Sequence, residues 1–310
     1  MPMPVVSSSQ FRTILYSMLI PLLFVFLWST GFIGAKYGLP YADPLTFLFI
    51  RMWLAAVIFY LAASTYECIW PDNLLDVAHV SVVGVLFHAL YLGGVFVAIS
   101  RGTDAGFAAL IVSLQPLLTV VLAFVFLAEP LSASKLTGVA IGLLGVCLVL
   151  AASATGQQFS LHNLLVSSKA ESSGLVLCLW SLLAISAGTI YQKRFCSQIE
   201  LLPSMCIQYV AASAALLLMA QATEPMAVQW RIEFTLTLIW LVLALSLGAV
   251  LLLMWLIRRD NAGNVASLFY LVPPFTAIEA WLLFGETMSQ EAIAGLLLSA
   301  VGVALVVRKP

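Results

Sequence analysis

Residues 101–150 read RGTDAGFAALIVSLQPLLTVVLAFVFLAEPLSASKLTGVAIGLLGVCLVL, and residues 258–307 read RRDNAGNVASLFYLVPPFTAIEAWLLFGETMSQEAIAGLLLSAVGVALVV. Slid by 157 positions, Arg101 falls on Arg258, Ala105-Gly106 on Ala262-Gly263 and Pro116 on Pro273. The register runs on without a gap through Thr119 and Thr276, Glu129 and Glu286, Ser132 and Ser289, Gly138 and Gly295, and Gly145 and Gly302. Self-similarity at one fixed spacing is the mark of an internal duplication. Each copy reads as two long apolar segments joined by a short polar turn that holds the glutamate. The same offset places Gly31 on Gly188, Ile33 on Ile190 and Lys36 on Lys193, so the duplication reaches the first apolar segment of each half. Pro44 and Pro203 open the second segment of each half, with two extra residues in the later linker.

Composition decides what solvates this unit. The chain has 310 residues, 63% hydrophobic and 9% charged, where a soluble domain carries roughly 25% charged residues. That is too little polar surface to cover a globule in water, so lipid is the solvent. In hydrocarbon only helices or a closed barrel satisfy every backbone group. The apolar runs are continuous for about 20 residues and do not alternate, which selects helices. A net charge of −1 offers no basic face for nucleic acid. Cys68, Cys147, Cys178, Cys196 and Cys206 form no C-x-x-C pair, and His79, His88 and His162 have no ligand spacing, so neither metal nor cofactor is expected.

The run that starts at Thr13 is too long for a signal peptide and lacks a small-residue cleavage site after it. It reads as the first of ten spans, at 13–35, 44–64, 77–100, 105–127, 134–152, 172–195, 203–221, 234–257, 262–284 and 290–307. The fold class expected is therefore an all-α polytopic membrane protein, with repeats at 13–152 and 172–307 around a polar linker at 153–171. Five spans per half is an odd number, so equivalent elements enter from opposite sides and the repeats are inverted. With both termini cytoplasmic, the inner side holds Arg12, Lys135, Lys193, Arg194, Arg258, Arg259, Arg308 and Lys309. The outer side then holds only Lys36, Arg101, Lys169 and Arg231, which favours this orientation by the positive-inside rule.

Inverted repeats make two conformations near-equivalent, one open to each side, with a substrate site at the repeat interface near the midplane. Matched helix breakers mark such sites: Pro116 and Pro273, with Pro274 beside it, are expected to kink spans four and nine. Pro116, Leu127-Ala128-Glu129, Gly138 and Gly145, matched by Pro273, Phe284-Gly285-Glu286, Gly295 and Gly302, resemble EamA-type members of the drug/metabolite transporter superfamily. Trp28-Ser29-Thr30-Gly31 with Lys36 is similar to the first span of that family, and Ala128 departs from its usual Gly-Glu turn. The resemblance implies ten helices, a central cavity, secondary transport of small metabolites, and a bacterial inner membrane.

Glu279 stands inside the ninth apolar segment, where its repeat counterpart is Leu122, so the duplicated scaffold does not require it. An ionisable group in a span is by default a functional candidate, here for carrying a proton. The competing reading is a carboxyl paired with a buried cation. Arg51 in the second span is the natural partner, and either a structural clamp or a bidentate grip on a substrate carboxylate fits it. Lys36 and Lys193 end the first span of each half, as helix-end cations or as gates. His88 and Tyr91 lie three apart on one helix face, His88 as a satisfied core histidine or a relay.

Trp28, Gln115, Tyr191, Gln208, Tyr209, Trp255 and Tyr270 complete the polar and aromatic candidates for a substrate wall, each also open to a packing role. Glu129 and Glu286 read as structural, each just before a serine that can cap the next helix. Gly138, Gly142, Gly145 and Gly302 allow close helix packing, either within the bundle or in a homodimer. A membrane enzyme would need a triad, metal set or phosphate loop, and none is present in the sequence. A channel would not need inverted repeats. The reading is a transporter of a small-molecule substrate, acting as an exporter of amino acids or amphipathic compounds.

Overall fold

The apolar runs close their own backbone hydrogen bonds and form helices, as hydrocarbon demands. The computed structural model describes residues 8–101, 103, 108, 111–112, 114–130, 132–153, 169–272, 275, 278–279, 282 and 290–307. It contains α1 Ser8–Gly38, α2 Pro44–Thr65, α3 Leu74–Ser100, α4 Gln115–Leu127 and α5 Ala133–Ser153. The second half adds α6 Lys169–Phe195, α7 Leu201–Thr223, α8 Ile232–Arg259, α9 Ala262–Ser267 and α10 Gln290–Val307. A 3-10 turn, Leu268–Leu271, continues α9. Six of the described helices are long and apolar enough to cross a membrane: α1 from Leu19, then α2, α3, α6, α7 and α8. Shorter apolar helices lie within α4 and α5. Outward side chains are apolar as well, Leu218 being 67% exposed and Leu61, Val125, Leu183 and Leu297 similarly open. The protein is a helical, multi-pass membrane protein.

Local chemistry sets the helix starts. Asn73 accepts the Leu75 N–H through Oδ1 at 3.0 Å and begins α3. Pro44 opens α2, where its missing N–H costs nothing, and the Glu224 carboxylate takes the Leu45 and Thr46 N–H groups at 2.8 and 2.9 Å. Ser132 accepts the Lys135 N–H and starts α5, as its position after Glu129 suggests. Residues 111 and 112 are helical, Leu114 is a turn, and the described helix that follows begins at Gln115 with Pro116 in its first positions. That placement suits proline, whose fixed φ favours a first turn and whose lack of a donor is harmless there. Pro273 and Pro274 lie outside the described residues.

The contacts between helices are two-fold. α2 runs along α7, its equivalent in the other half, and α5 runs along α10. α1 packs on α8, and α6 packs on α3, which is the same contact with the halves exchanged. The matched glycines make this possible. A Cβ on Gly31 would meet Leu245 of α8, and one on Gly188 would meet Phe87 of α3. The α5–α10 seam is closer still, because a Cβ on Gly138 would stand 2.7 Å from the Gly302 carbonyl oxygen. Of the two uses open to these glycines, the structure therefore shows the one inside the bundle.

Candidate functional site

Two helices of the bundle change their winding at equivalent places. Val85–Tyr91 of α3 and Leu241–Ala249 of α8 are π-helical, the wider winding that occurs mostly in single turns and often at functional sites. Between them lies a cavity that opens to the outside. α1 contributes Trp28, Gly31 and Ala35, α2 contributes Arg51, and α3 contributes Phe87, His88, Tyr91 and the apolar side chains that follow. The second half adds Leu245 and Val250. Four sequence-derived candidates, Trp28, Arg51, His88 and Tyr91, thus share one wall.

Arg51 is 2% exposed. Its Nε donates to Ser246 Oγ at 2.9 Å, and the Ser246 carbonyl accepts the Tyr209 hydroxyl at 3.0 Å. Tyr209 in turn stacks on His88, with ring centroids 4.3 Å apart and planes at 25°. Four helices, α2, α8, α7 and α3, are joined by this relay. The His88 ring is held by this stack with the Gln208 side chain beside it, and its Nε2 makes no hydrogen bond. Trp28 is fixed from behind by Phe269 and Phe24, at centroid distances of 5.1 and 5.4 Å.

Glu279 is buried at 6% exposure. Its Oε1 accepts the hydroxyl of Ser29, the neighbour of Trp28, while Oε2 has no hydrogen-bond partner. The expected Arg51–Glu279 pair is not formed. Each group turns to a serine on a different helix, Ser246 on α8 and Ser29 on α1. That separation leaves one cation and one carboxyl, each with a neutral partner, in the same bundle.

The remaining candidates sit elsewhere. Gln115 is buried and reaches Thr189 on α6 through Nε2 at 3.4 Å. Tyr191 is hydrogen-bonded to His79 Nδ1 at 2.7 Å. Gln208 Nε2 donates to Gln192 and Ser204, both at 3.2 Å. Trp255 lies under the Arg259 guanidinium at 4.2 Å, and Tyr270 is packed against Gly142 of the α5–α10 seam. Lys193 Nζ donates to the Ile257 carbonyl at 2.7 Å and to the Asp260 carbonyl, so it caps the end of α8. Glu129 Oε1 accepts the Ala262 N–H at 3.0 Å, capping α9 in the opposite half. Lys36 falls within α1, and its side chain lies outside the described set, as does Glu286. Sequence reasoning missed Ser29, Ser246 and the two π-helical stretches. The repeated Gly31 and Gly188, each facing one of those stretches, were their one visible trace.

Comparison with known proteins agrees with this architecture. An uncharacterized transporter of Bacillus subtilis is 26% identical over 91% of this chain and 88% of its own length. A Salmonella typhimurium protein named "Probable amino-acid metabolite efflux pump" is 28% identical over 91% of each chain. A solved crystal structure superimposes with a TM-score of 0.74 at 16% identity, covering 94% of this chain and 97% of that one, which speaks for the fold. The EamA-like transporter family matches twice, over residues 15–151 and 172–308. With the duplicated helices and the cavity between their halves, those two matches place the chain in the EamA-like transporter family, as a membrane transporter and not an enzyme.

Proposed function

We propose that this chain is an alternating-access secondary transporter that exports small metabolites, such as amino acids or amphipathic compounds, across a bacterial inner membrane. The observation that carries the reading is the cavity between equivalent π-helical stretches, one from each half. A site at a repeat interface is exposed to alternate sides when the halves rock. The relatives named as amino-acid metabolite efflux pumps support the direction and the substrate range. In this reading ten spans form two inverted repeats, 13–152 and 172–307, joined by a linker at 153–171, with both termini cytoplasmic. Trp28, Arg51, His88 and Tyr91 contact the substrate. A homodimer, if one forms, uses lipid-facing helices other than the α5–α10 seam.

Glu279 carries the coupling proton. Its support is chemical: a buried carboxyl with one neutral partner and one bare oxygen, bonded through Ser29 to the helix that bears Trp28. Protonation removes the charge of such a group, and deprotonation needs an opening to water. The test is counterflow of amino acids and aromatic compounds in proteoliposomes, with and without an imposed pH gradient. Wild-type protein should exchange at least one class saturably and accumulate it under the gradient. Glu279→Gln should keep exchange and lose gradient-driven accumulation. Unchanged gradient dependence in that variant removes Glu279 from the mechanism, and absence of exchange by folded wild-type protein across the panel overturns the transport reading.

A further inference from the structure

We infer that the cavity takes an organic anion, a small carboxylate with an apolar or aromatic body, and that Arg51 holds its carboxylate. The inference rests on the transporter reading above and narrows its substrate. Arg51 lines the cavity and is the sole charged side chain of the described lining. Among the described residues its one hydrogen bond is Nε to the neutral Ser246 hydroxyl. A guanidinium has five N–H donors in a planar fork, so the two terminal nitrogens remain for a ligand. The carboxyl that would have neutralised it, Glu279, is engaged with Ser29 instead.

A cation taken out of water without a counter-ion is costly, and the cost falls when a partner of opposite charge arrives. The fork of donors matches a carboxylate in two parallel hydrogen bonds. One guanidinium balances one negative charge, which fits a monoanion better than a phosphate dianion. The rest of the wall describes the body of the ligand. Trp28, Phe87, Tyr91 and Phe96 offer aromatic faces, and Val95 and Leu245 offer aliphatic ones. No acidic side chain is among the described lining residues, so a substrate ammonium has no ionic seat. Arg51 is also unshared between the halves: allowing for the two-residue linker difference, its counterpart is Val210. The equivalent helix of the second half is therefore built without it.

The experiment titrates purified protein in nanodiscs with four probes that share one body: 3-phenylpropionate, its amide, phenethylamine and phenylalanine. Binding is read by tryptophan fluorescence and calorimetry. The carboxylate should bind at least about tenfold more tightly than the amide and the amine, and more tightly than the zwitterion. Arg51→Gln should bring carboxylate and amide to equal affinity, and Arg51→Lys should retain part of the preference. Should Arg51→Gln fail to fold, the wild-type ranking alone decides. Equal or tighter binding of the amide or the amine by wild-type protein overturns the inference, and so does absence of binding by every probe. Counterflow of the same panel separates the two readings. Exchange of amine or zwitterion without carboxylate keeps the transporter and removes the anion site; carboxylate binding with no exchange does the reverse.

Discussion

The two π-helical stretches occupy equivalent places in the two halves and meet the same cavity with opposite chemistry. At the offset of 157, His88 of α3 corresponds to Leu245 of α8, Tyr91 to Gly248, and Phe87 to Ala244. His88 and Leu245 both line the cavity. The same holds for α1 and α6, where Trp28 corresponds to Ile185. What has been kept through the duplication is a backbone device, a widened turn facing a glycine on a neighbouring helix. What has diverged is the chemistry of the cavity lining. The first half supplies the cation, the imidazole and the aromatic wall, and the second half supplies a mainly aliphatic wall and, away from it, the carboxyl Glu279. A symmetric scaffold suits two-sided opening, while an asymmetric wall suits a substrate that has no symmetry of its own.

The strongest way to break this comparison is to make the entries to the two stretches alike. Gly84 precedes the first stretch and corresponds to Leu241 in the second. A Cβ on Gly84 would collide with the backbone of Gln208 on α7, whereas Leu241 is accommodated by the missing side chain of Gly34. Gly84→Leu should therefore cost more than about 3 kcal/mol, since backbone does not yield as a side chain does. Fluorescence-detected size exclusion should show loss of the folded peak. A folded variant with an unchanged thermal midpoint would mean that α3 and α7 do not approach this closely.

A subtler test exchanges the chemistry at the equivalent positions. His88→Leu removes the ring stacked on Tyr209 and should cost the fold about 0.5–1.5 kcal/mol, while substrate affinity in the counterflow assay should also fall, because the imidazole lines the cavity. Leu245→His places an unpartnered polar group in a buried wall and should cost about 1–3 kcal/mol of stability. The double exchange should not restore affinity, because Arg51, Trp28 and Tyr91 still stand on the first-half side. Recovery in the double variant would show that the cavity is used symmetrically, against the asymmetry argued above.

The fold was largely legible because its signals are collective. Twenty-residue apolar runs and a repeat in fixed register survive any local error, and α2 and α3, expected at 44–64 and 77–100, are found at Pro44–Thr65 and Leu74–Ser100. The helix start at Gln115 left no sign in the sequence beyond Pro116, because apolar residues lie on both sides and no side chain caps it. The π-helical winding left no residue signature of its own. In the site, Trp28, Arg51, His88 and Tyr91 were readable as polar or amphipathic groups too costly to be idle in a span. Their partners were not. Ser246 and Ser29 are ordinary residues for a helix in lipid, and which serine meets Arg51 or Glu279 depends on how distant helices cross. Tyr191 and Gln115 carried the same signal as the cavity residues but bond to side chains of neighbouring helices, and Trp255 lies against Arg259 of its own helix.

The smallest expected effect lies at a turn where the halves differ by one methyl group. Ala128 ends α4 with φ 53° and ψ 30°, a left-handed conformation that costs an L-residue about 1–2 kcal/mol relative to glycine. Its counterpart in the second half is Gly285. Ala128→Gly removes that strain but frees the unfolded chain, which returns about 0.4–1 kcal/mol of the gain. The net should be a stabilisation of about 1 kcal/mol or less, read as a small rise in the thermal midpoint. The next residue, Glu129, caps α9 across the repeat boundary at 3.0 Å from the Ala262 nitrogen, and the substitution leaves that contact alone. Exchange rates should therefore stay at the wild-type level. A stabilised variant with slowed exchange would mean that strain at this turn helps the halves move, and that the two turns, like the two walls, have been set apart for function.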